Sequence, residues 1–388
     1  MDRISKYNLA EVAQREFKEQ FNAEGNAVVI APGRINFIGE HTDYNLGFAM
    51  PIGINRWICT VAKKRTDKKI NIYSSNFNET ISTTLSDLES LDLWEKYTLG
   101  CIQVIKDEFN IQNGADILIK GNIPIGFGFS SSAALEVSLI GALLHIYDFK
   151  IDFSLILKLS NRVENNYLQI QSGVLDQYAS IFSKKSQPLI IDFYNLNHSY
   201  CNMNIEGVSW VIINSMVKRE LVESKYNERV DECKLGLKKL NQTLSKSISM
   251  NEITVELLEN IKSDKTLYNR LYHVASENQR VLLMKGCFEK GDLIGAGNLL
   301  NNSHESLSKY YEVSCNEIEA IIKLSNKQEG FYGGRIMGGG FGGCTINLVD
   351  SSKRDLFIKN VTSDFLSLYN YKIKIETIDF SDGFEVLH

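Results

Sequence analysis

Four groups of residues have types and spacings that could do chemistry. In the first, Arg34, Glu40, His41 and Asp43 fall within ten residues, beside Pro32, Gly33 and Gly39. Sugar hydroxyls both donate and accept hydrogen bonds, so rigidly held carboxylates, a histidine and an arginine suit them. The second group is Gly126-Phe127-Gly128-Phe129-Ser130-Ser131-Ser132. Glycines let backbone approach a ligand, and a helix start offers unpartnered N–H groups and partial positive charge, a combination that binds phosphate. Its serine hydroxyls can take phosphate oxygens or a metal ion. The third is Asp176, within Gln171-Ser172-Gly173-Val174-Leu175-Asp176-Gln177 and twelve residues after Glu164. An acid in such a setting is either a helix cap or a catalytic group. The fourth runs from Gly333 to Cys344. It holds apolar Ile336, Met337 and Phe341 among its glycines, unlike a flexible polar linker.

The serine segment is neither of the two common nucleotide loops. A dinucleotide fingerprint needs a third glycine and a βαβ setting, and a Walker A loop needs Gly-Lys-Ser/Thr. By itself it is also compatible with a tight strand-to-helix turn capped by serine.

The elements around these groups must hold them in place. Residues 115–120 are strand-forming and lead into the serine loop, and an apolar run of helical spacing leaves it, over about 133–148. Residues 5–22 read as an amphipathic helix, 26–30, 49–54, 57–63 and 70–74 as strands, and 93–109 as a helix. Helix 152–171 and strands 189–193 and 209–214 follow. Residues 218–325 are largely helical and charged, and read as solvated faces. The chain ends in a glycine loop (333–343), a strand (344–349), a helix (352–368) and a strand (371–378). This is an α+β pattern without regular βαβ alternation. A polar, weakly patterned stretch near 195–207 divides it into domains of 1–200 and 201–388.

Composition narrows the class. A chain of 388 residues, 44% hydrophobic and 23% charged, is an ordinary globular protein large enough for two domains. Its net charge of −5 offers nothing to nucleic acid. No apolar run reaches membrane-spanning length, and the first residues lack the apolar core of a signal peptide. Seven dispersed cysteines form no C-x-x-C pair, which argues against a disulfide framework or a zinc site and for a reducing cytoplasm.

In this order the four groups resemble the GHMP small-molecule kinases, most closely the members that phosphorylate galactose. The likeness rests on Gly33 to Tyr44, Pro124 to Ala134 and Gly338 to Cys344. It extends to Trp94-Glu95-Lys96-Tyr97, Gly173 to Gln177, Lys218-Arg219, Glu223 to Tyr226 and Ser303 to Leu307, and covers about residues 10–385. The resemblance implies an N-terminal domain like ribosomal protein S5 and a ferredoxin-like C-terminal domain, with the active site between them. It implies transfer of phosphate from ATP, with Mg²⁺, to the anomeric hydroxyl of galactose, the first step of galactose catabolism. Asp176 and Arg34 are then catalytic. Glu40, His41, Asp43, Gly173 and Tyr226 bind the sugar. Ser74, Trp94, Tyr97, Gly126, Gly128, Ser130, Ser131 and Ser132 bind ATP, and Ser132 and Glu164 hold the metal. The implied partners are the sugar and ATP, with no nucleic acid or membrane and a monomer or weak homo-oligomer in the cytoplasm. Alternatives are a kinase for a related sugar such as N-acetylgalactosamine, or a non-catalytic sensor of galactose and ATP.

The chain departs from the family pattern in places. Phe37 and Phe129 replace aliphatic residues and are expected to adjust the pocket wall. Ser172 stands where cysteine is common. Met337 and Leu46, unusual at their positions, are expected to influence substrate preference.

Overall fold

A computed structural model describes residues 5–89, 92–169, 173–217 and 222–388. Gln171, Ser172 and the Lys218-Arg219 pair lie outside the described residues, as do the side chains of Glu223 and Ser224.

Two sheets carry the molecule. The larger has six strands in the order Glu385–Val386, Ala27–Asn36, Pro51–Lys64, Ala115–Gly121, Lys69–Ser74 and Glu79–Thr84. All its pairings are antiparallel except that of Lys69–Ser74 with Ala115–Gly121. Helices Leu93–Phe109, Ser131–Ile146 and Phe153–Arg162 cover one face and bury a core of aliphatic side chains. Helix Ser131–Ile146 is apolar on nearly every side and accordingly buried almost throughout. The other face carries helix Lys6–Phe21, through Leu9, Ala13 and Phe17.

The second sheet is antiparallel, in the order Phe331–Met337, Cys344–Asp350, Val208–Asn214 and Lys374–Ile378. Strand side chains alternate between faces. Val211 and Ile213 pack under helices Asn316–Ser325 and Arg354–Tyr369, whereas Trp210 and Ile212 face a core shared with Ile35, Phe37, Met50 and Ile52 of the first sheet. A third, three-stranded sheet joins Phe48–Ala49, Leu189–Asp192 and Asn197–Tyr200.

Three expectations about secondary structure are corrected, and one about packing. Residues 333–337 are strand, not loop. Gly333 is needed there because helix Leu293–Lys309 lies so close that a Cβ would sit 2.0 Å from Gly297 O. The strands expected at 49–54 and 57–63 form one continuous strand, Pro51–Lys64. The helix expected over 152–171 ends at Arg162 and gives way to a π-helical turn, Val163–Tyr167. Phe37 and Phe129 line neither cavity described below. They fill the core between the sheets, where Phe37 meets Trp210 at 4.5 Å and Phe288 at 5.2 Å between ring centroids.

Candidate active site

Glycines and one serine shape the loop before helix Ser131–Ile146. Gly126, Gly128 and Ser130 all have positive φ, 86°, 69° and 54°. The loop is anchored from three sides. Arg34 N–H donates to Phe129 O at 3.0 Å, Arg34 Nη1 to Gly128 O at 2.8 Å, and Asn214 Nδ2 to Gly126 O at 2.9 Å. Gly33 permits the first contact, since a Cβ there would fall 2.6 Å from Phe129 O. With its carbonyls so tied, the loop leaves the first-turn N–H groups of the helix as its charged end.

Ser130 precedes the helix but does not cap it. Its hydroxyl donates to Asp176 Oδ2 at 2.5 Å. The opposite oxygen, Oδ1, receives Arg34 Nε at 2.8 Å and Nη2 at 2.5 Å. Asp176 sits in the first turn of helix Leu175–Phe182, where the helix dipole favours a carboxylate. Arg34, Ser130 and Asp176, up to 142 positions apart, thus form one cluster.

This cluster adjoins a polar cavity of about 170 Å³. Arg34, Glu40, His41, Asp43, Gly173, Asp176 and Tyr226, the expected catalytic and sugar-binding residues, all line it, with Glu164, Gly338 and Gly339. Gly173 is fixed by its neighbour, because a Cβ would meet Asp43 Oδ2 at 2.1 Å. Met337 is 1% exposed in the core and Leu46 lies 40% exposed on the surface, and neither lines this cavity. Their expected influence on substrate choice therefore has no contact to act through.

The loop bearing Glu40 and His41 rests on the second half of the chain. Glu277 accepts Gly39 N–H at 2.9 Å, Asn278 accepts Phe48 N–H at 2.9 Å, and His273 Nε2 lies 3.1 Å from Glu40 O. Arg335, wholly buried, donates to the carbonyls of Phe37 (2.8 Å), Ile336 (2.6 Å) and Asn36, and to Glu40 Oε1 at 2.9 Å. Gly338 N–H reaches the same carboxylate oxygen at 3.0 Å. Burial pushes Glu277 toward the neutral form, but Arg280, His273 and Arg335 outweigh it and hold the carboxyl at about 2.

Three cavity residues are shifted. Burial raises Tyr226 well above its ordinary value and keeps its hydroxyl protonated. Burial lowers His41 to about 4, so the ring is neutral at pH 7. Burial raises Asp43 to about 7; backbone N–H groups oppose this, and the charges of Asp176 and Glu40 add to it. A carboxyl whose pKa is raised on folding favours the folded state fully below its ordinary value of 3.8, and that contribution is lost as pH rises through about 7. Ligand-free protein is therefore expected to lose stability from this group between about pH 4 and 7. The difference in Tm between wild type and Asp43→Asn, measured across that range, should widen in favour of the variant as pH rises; a constant difference contradicts it.

A second cavity, of about 610 Å³, lies beyond the helix start. Ser74, Trp94, Tyr97, Ser131 and Ser132 line it, with apolar Ile58, Phe77 and Leu135. Phe77 and Trp94 stand 6.3 Å apart at its wall. Gly126, Gly128 and Ser130 line neither cavity; their polar atoms are taken up by Asn214, Arg34 and Asp176. Tyr97 lines the larger cavity and not the smaller one. Its hydroxyl is bonded to Ser132, and burial with the charges of Glu164 and Glu136 keeps it protonated.

Glu164 is buried on the π-turn, a feature often found at functional positions. Glu164 lines the smaller cavity and Ser132 the larger, both act on Tyr97, and both offer hard oxygen donors. Among the described residues no three acidic, histidine or cysteine side chains form a complete metal cage. Mg²⁺ usually takes one or two carboxylates and completes its shell with phosphate and water, so the donor set fits that ion.

Sequence reasoning missed Glu136, Gln177, Arg335 and Asn214 as parts of this site. Glu136 is fully buried one turn below Ser132. Burial and the nearby Glu164 charge raise its pKa, Gln177 Nε2 donates to its Oε2 at 3.1 Å, and its Oε1 has no partner. The only signal in the sequence was an acid amid an apolar helix.

Comparison with known proteins agrees with this geometry. Residues 15–64 match the galactokinase galactose-binding signature, 96–184 the GHMP kinases N terminal domain and 284–366 the GHMP kinases C terminal family. The chain is 36% identical over 385 residues to a galactokinase of Ligilactobacillus salivarius, covering 97% of this chain and 99% of that one. A galactokinase of Enterococcus faecalis is 36% identical over 383 residues, with coverages of 97% and 99%. The crystal structure of Lactococcus lactis galactokinase complexed with galactose superposes with a TM-score of 0.90 at 34% identity, covering 97% of this chain and 99% of that one. Methanococcus jannaschii mevalonate kinase shares the fold at a TM-score of 0.65 and 19% identity, covering 92% of this chain and 99% of its own. With its polar cavity beside a phosphate-type loop and these full-length matches, the chain belongs to the galactokinase family of GHMP kinases.

Proposed function

We propose that this protein transfers the γ-phosphoryl group of ATP to the C1 hydroxyl of D-galactose, giving galactose 1-phosphate and ADP. The observation that carries the reading is Asp176, held by Arg34 on one oxygen and Ser130 on the other, between the polar cavity and the helix start. Galactose occupies the polar cavity, its hydroxyls meeting Glu40, His41, Asp43, the Gly173 backbone and Tyr226. ATP lies in the larger cavity, with its base against Trp94 and near Ser74, and its phosphates at Ser131, Ser132 and the helix N-terminus.

Phosphoryl transfer asks chiefly for positioning and charge stabilisation. Asp176 orients the C1 hydroxyl and takes its proton. Arg34, fixed between Asp176 and Gly128 O, places a positive charge where the phosphoryl group passes. Ser132 and Glu164 would hold Mg²⁺, which supplies charge neutralisation on the phosphates when bound. Free cysteines at all seven positions suit a cytoplasmic enzyme. Among the described residues no helix is long and apolar enough to cross a membrane.

A coupled ADP-release assay over a panel of sugars tests the reading. Galactose should give the highest kcat/KM, well above N-acetylgalactosamine, uronic acids and pentoses. Preference for another sugar would overturn the substrate, and binding of galactose without turnover on any sugar would make the protein a sensor.

A further inference from the structure

His41 ends a chain of buried polar groups that runs away from the sugar cavity. Its Nδ1 lies 2.7 Å from the Tyr44 hydroxyl, which lies 2.9 Å from the Tyr311 hydroxyl, which lies 3.2 Å from Cys233 Sγ. Asn45 Nδ2 donates to the same sulfur at 3.7 Å. Tyr311 is fully buried and wedged between His41 and His273, with ring centroids 4.7 and 4.5 Å away. The other ring nitrogen, His41 Nε2, is buried without a partner, on a residue that lines the cavity.

Counting protons gives the chain a direction. Each hydroxyl has one proton to donate, and so does the neutral thiol; a neutral imidazole carries one on either nitrogen. In one arrangement Cys233 donates to Tyr311, Tyr311 to Tyr44, and Tyr44 to His41 Nδ1. The sulfur then accepts only from Asn45. In the other arrangement every proton is reversed. His41 Nδ1–H donates to Tyr44, and the chain ends with Tyr311 donating to a sulfur that Asn45 already uses. Sulfur is a weak acceptor and an unprotonated imidazole nitrogen a good one, so the first arrangement pairs the phenol with the better base.

We propose that Tyr44, Tyr311 and Cys233 form a proton-ordered relay that holds His41 as its Nε2–H tautomer, so that His41 donates a hydrogen bond to a sugar hydroxyl oxygen. The naming of the ligand rests on the galactose-kinase reading; the tautomer does not. The cavity is lined by the carboxyl groups of Glu40, Asp43 and Asp176. The Arg34 guanidinium is already bonded to Asp176 and Gly128 O, so a fixed neutral donor on His41 adds to what Tyr226 can offer a sugar hydroxyl. A hydroxyl that both donates to a carboxylate and accepts from His41 is bound by both of its functions, and a site built this way rejects analogues that lack the hydroxyl. Tyr44, Tyr311 and Cys233 are positioning residues, for none of them lines the cavity.

The tautomer is read directly from two-bond ¹⁵N–¹H spectra of sugar-free protein labelled with ¹⁵N-histidine, with His41→Gln identifying the signal. The expected form is Nε2–H, and in Tyr44→Phe a mixture of both forms. In kinetics, Tyr44→Phe should raise the KM for galactose about fivefold or more, the scale of one lost hydrogen bond, with kcat changed less than about twofold. Tyr311→Phe should act in the same direction, less strongly. Cys233→Ser, which keeps a proton to donate, should preserve both the tautomer and the KM. If Tyr44→Phe fails to fold, Tyr311→Phe and Cys233→Ser carry the test. An Nδ1–H tautomer in the wild type overturns the relay, as does a Tyr44→Phe variant with unchanged tautomer and KM. Should the wild type show Nε2–H yet not phosphorylate galactose, the relay stands and the substrate reading fails.

Discussion

Asp176→Asn is expected to lower kcat with galactose by about 10²–10⁴-fold, the usual worth of a positioned acid or base. The amide keeps the shape of the side chain but cannot take a proton from the C1 hydroxyl. It also withdraws the negative charge that Arg34 and Ser130 converge on. Arg34 keeps its bond to Gly128 O, so the loop stays in register. Circular dichroism and thermal unfolding should therefore show a folded protein, and the KM for ATP should change little, because Asp176 does not line the nucleotide cavity. Turnover at the wild-type rate would remove Asp176 from the chemistry.

Arg335→Leu is the largest expected loss of stability. One buried guanidinium serves the carbonyls of Asn36, Phe37 and Ile336 as well as the Glu40 carboxylate. Breaking a buried ion pair by removing one partner costs roughly 3–5 kcal/mol, because the remaining charge is left in a poor solvent. Urea unfolding should register a loss of this size. Adding Glu40→Gln to the variant removes the stranded charge and should restore part of the stability. It should not restore galactose affinity, since Glu40 lines the sugar cavity. Calorimetric titration separates the two effects, and a single variant of wild-type stability would show that Arg335 is not the clamp described.

The two predictions show what the sequence could and could not carry. Residues within one short motif were legible, because close spacing already limits where their side chains can go. Arg34, Glu40, His41 and Asp43 meet in one cavity, as their types suggested, with Gly173, Asp176 and Tyr226, whose places the family resemblance implied. Helix Leu93–Phe109, which bears Trp94 and Tyr97, was read to the residue because its apolar period is clean. Support from afar was not legible. Arg335 stood in plain view among the glycines, but its partners at 36–40 are some 300 positions away, and only the fold brings them together. The same holds for Tyr311 and Cys233 behind His41. Ser130 had the composition of a helix cap, yet a left-handed backbone turns its hydroxyl to Asp176 instead. Glu164 lay in a segment read as ordinary helix, and nothing in the residue types announces a π-turn. Phe37 and Phe129 were placed at the pocket wall because their motifs are functional. They point the other way, into the core between the sheets, where large rings fill volume.

The central claim is that phosphate passes from ATP to the anomeric oxygen of galactose at Asp176. The most direct measurement is ³¹P and ¹H NMR of the product formed from galactose, ATP and Mg²⁺. One sugar phosphate should appear for each ADP, with its phosphorus coupled to the C1 proton, and Asp176→Asn should form it far more slowly. Phosphorus coupled to the C6 protons, or ADP released without any sugar phosphate, would contradict the account.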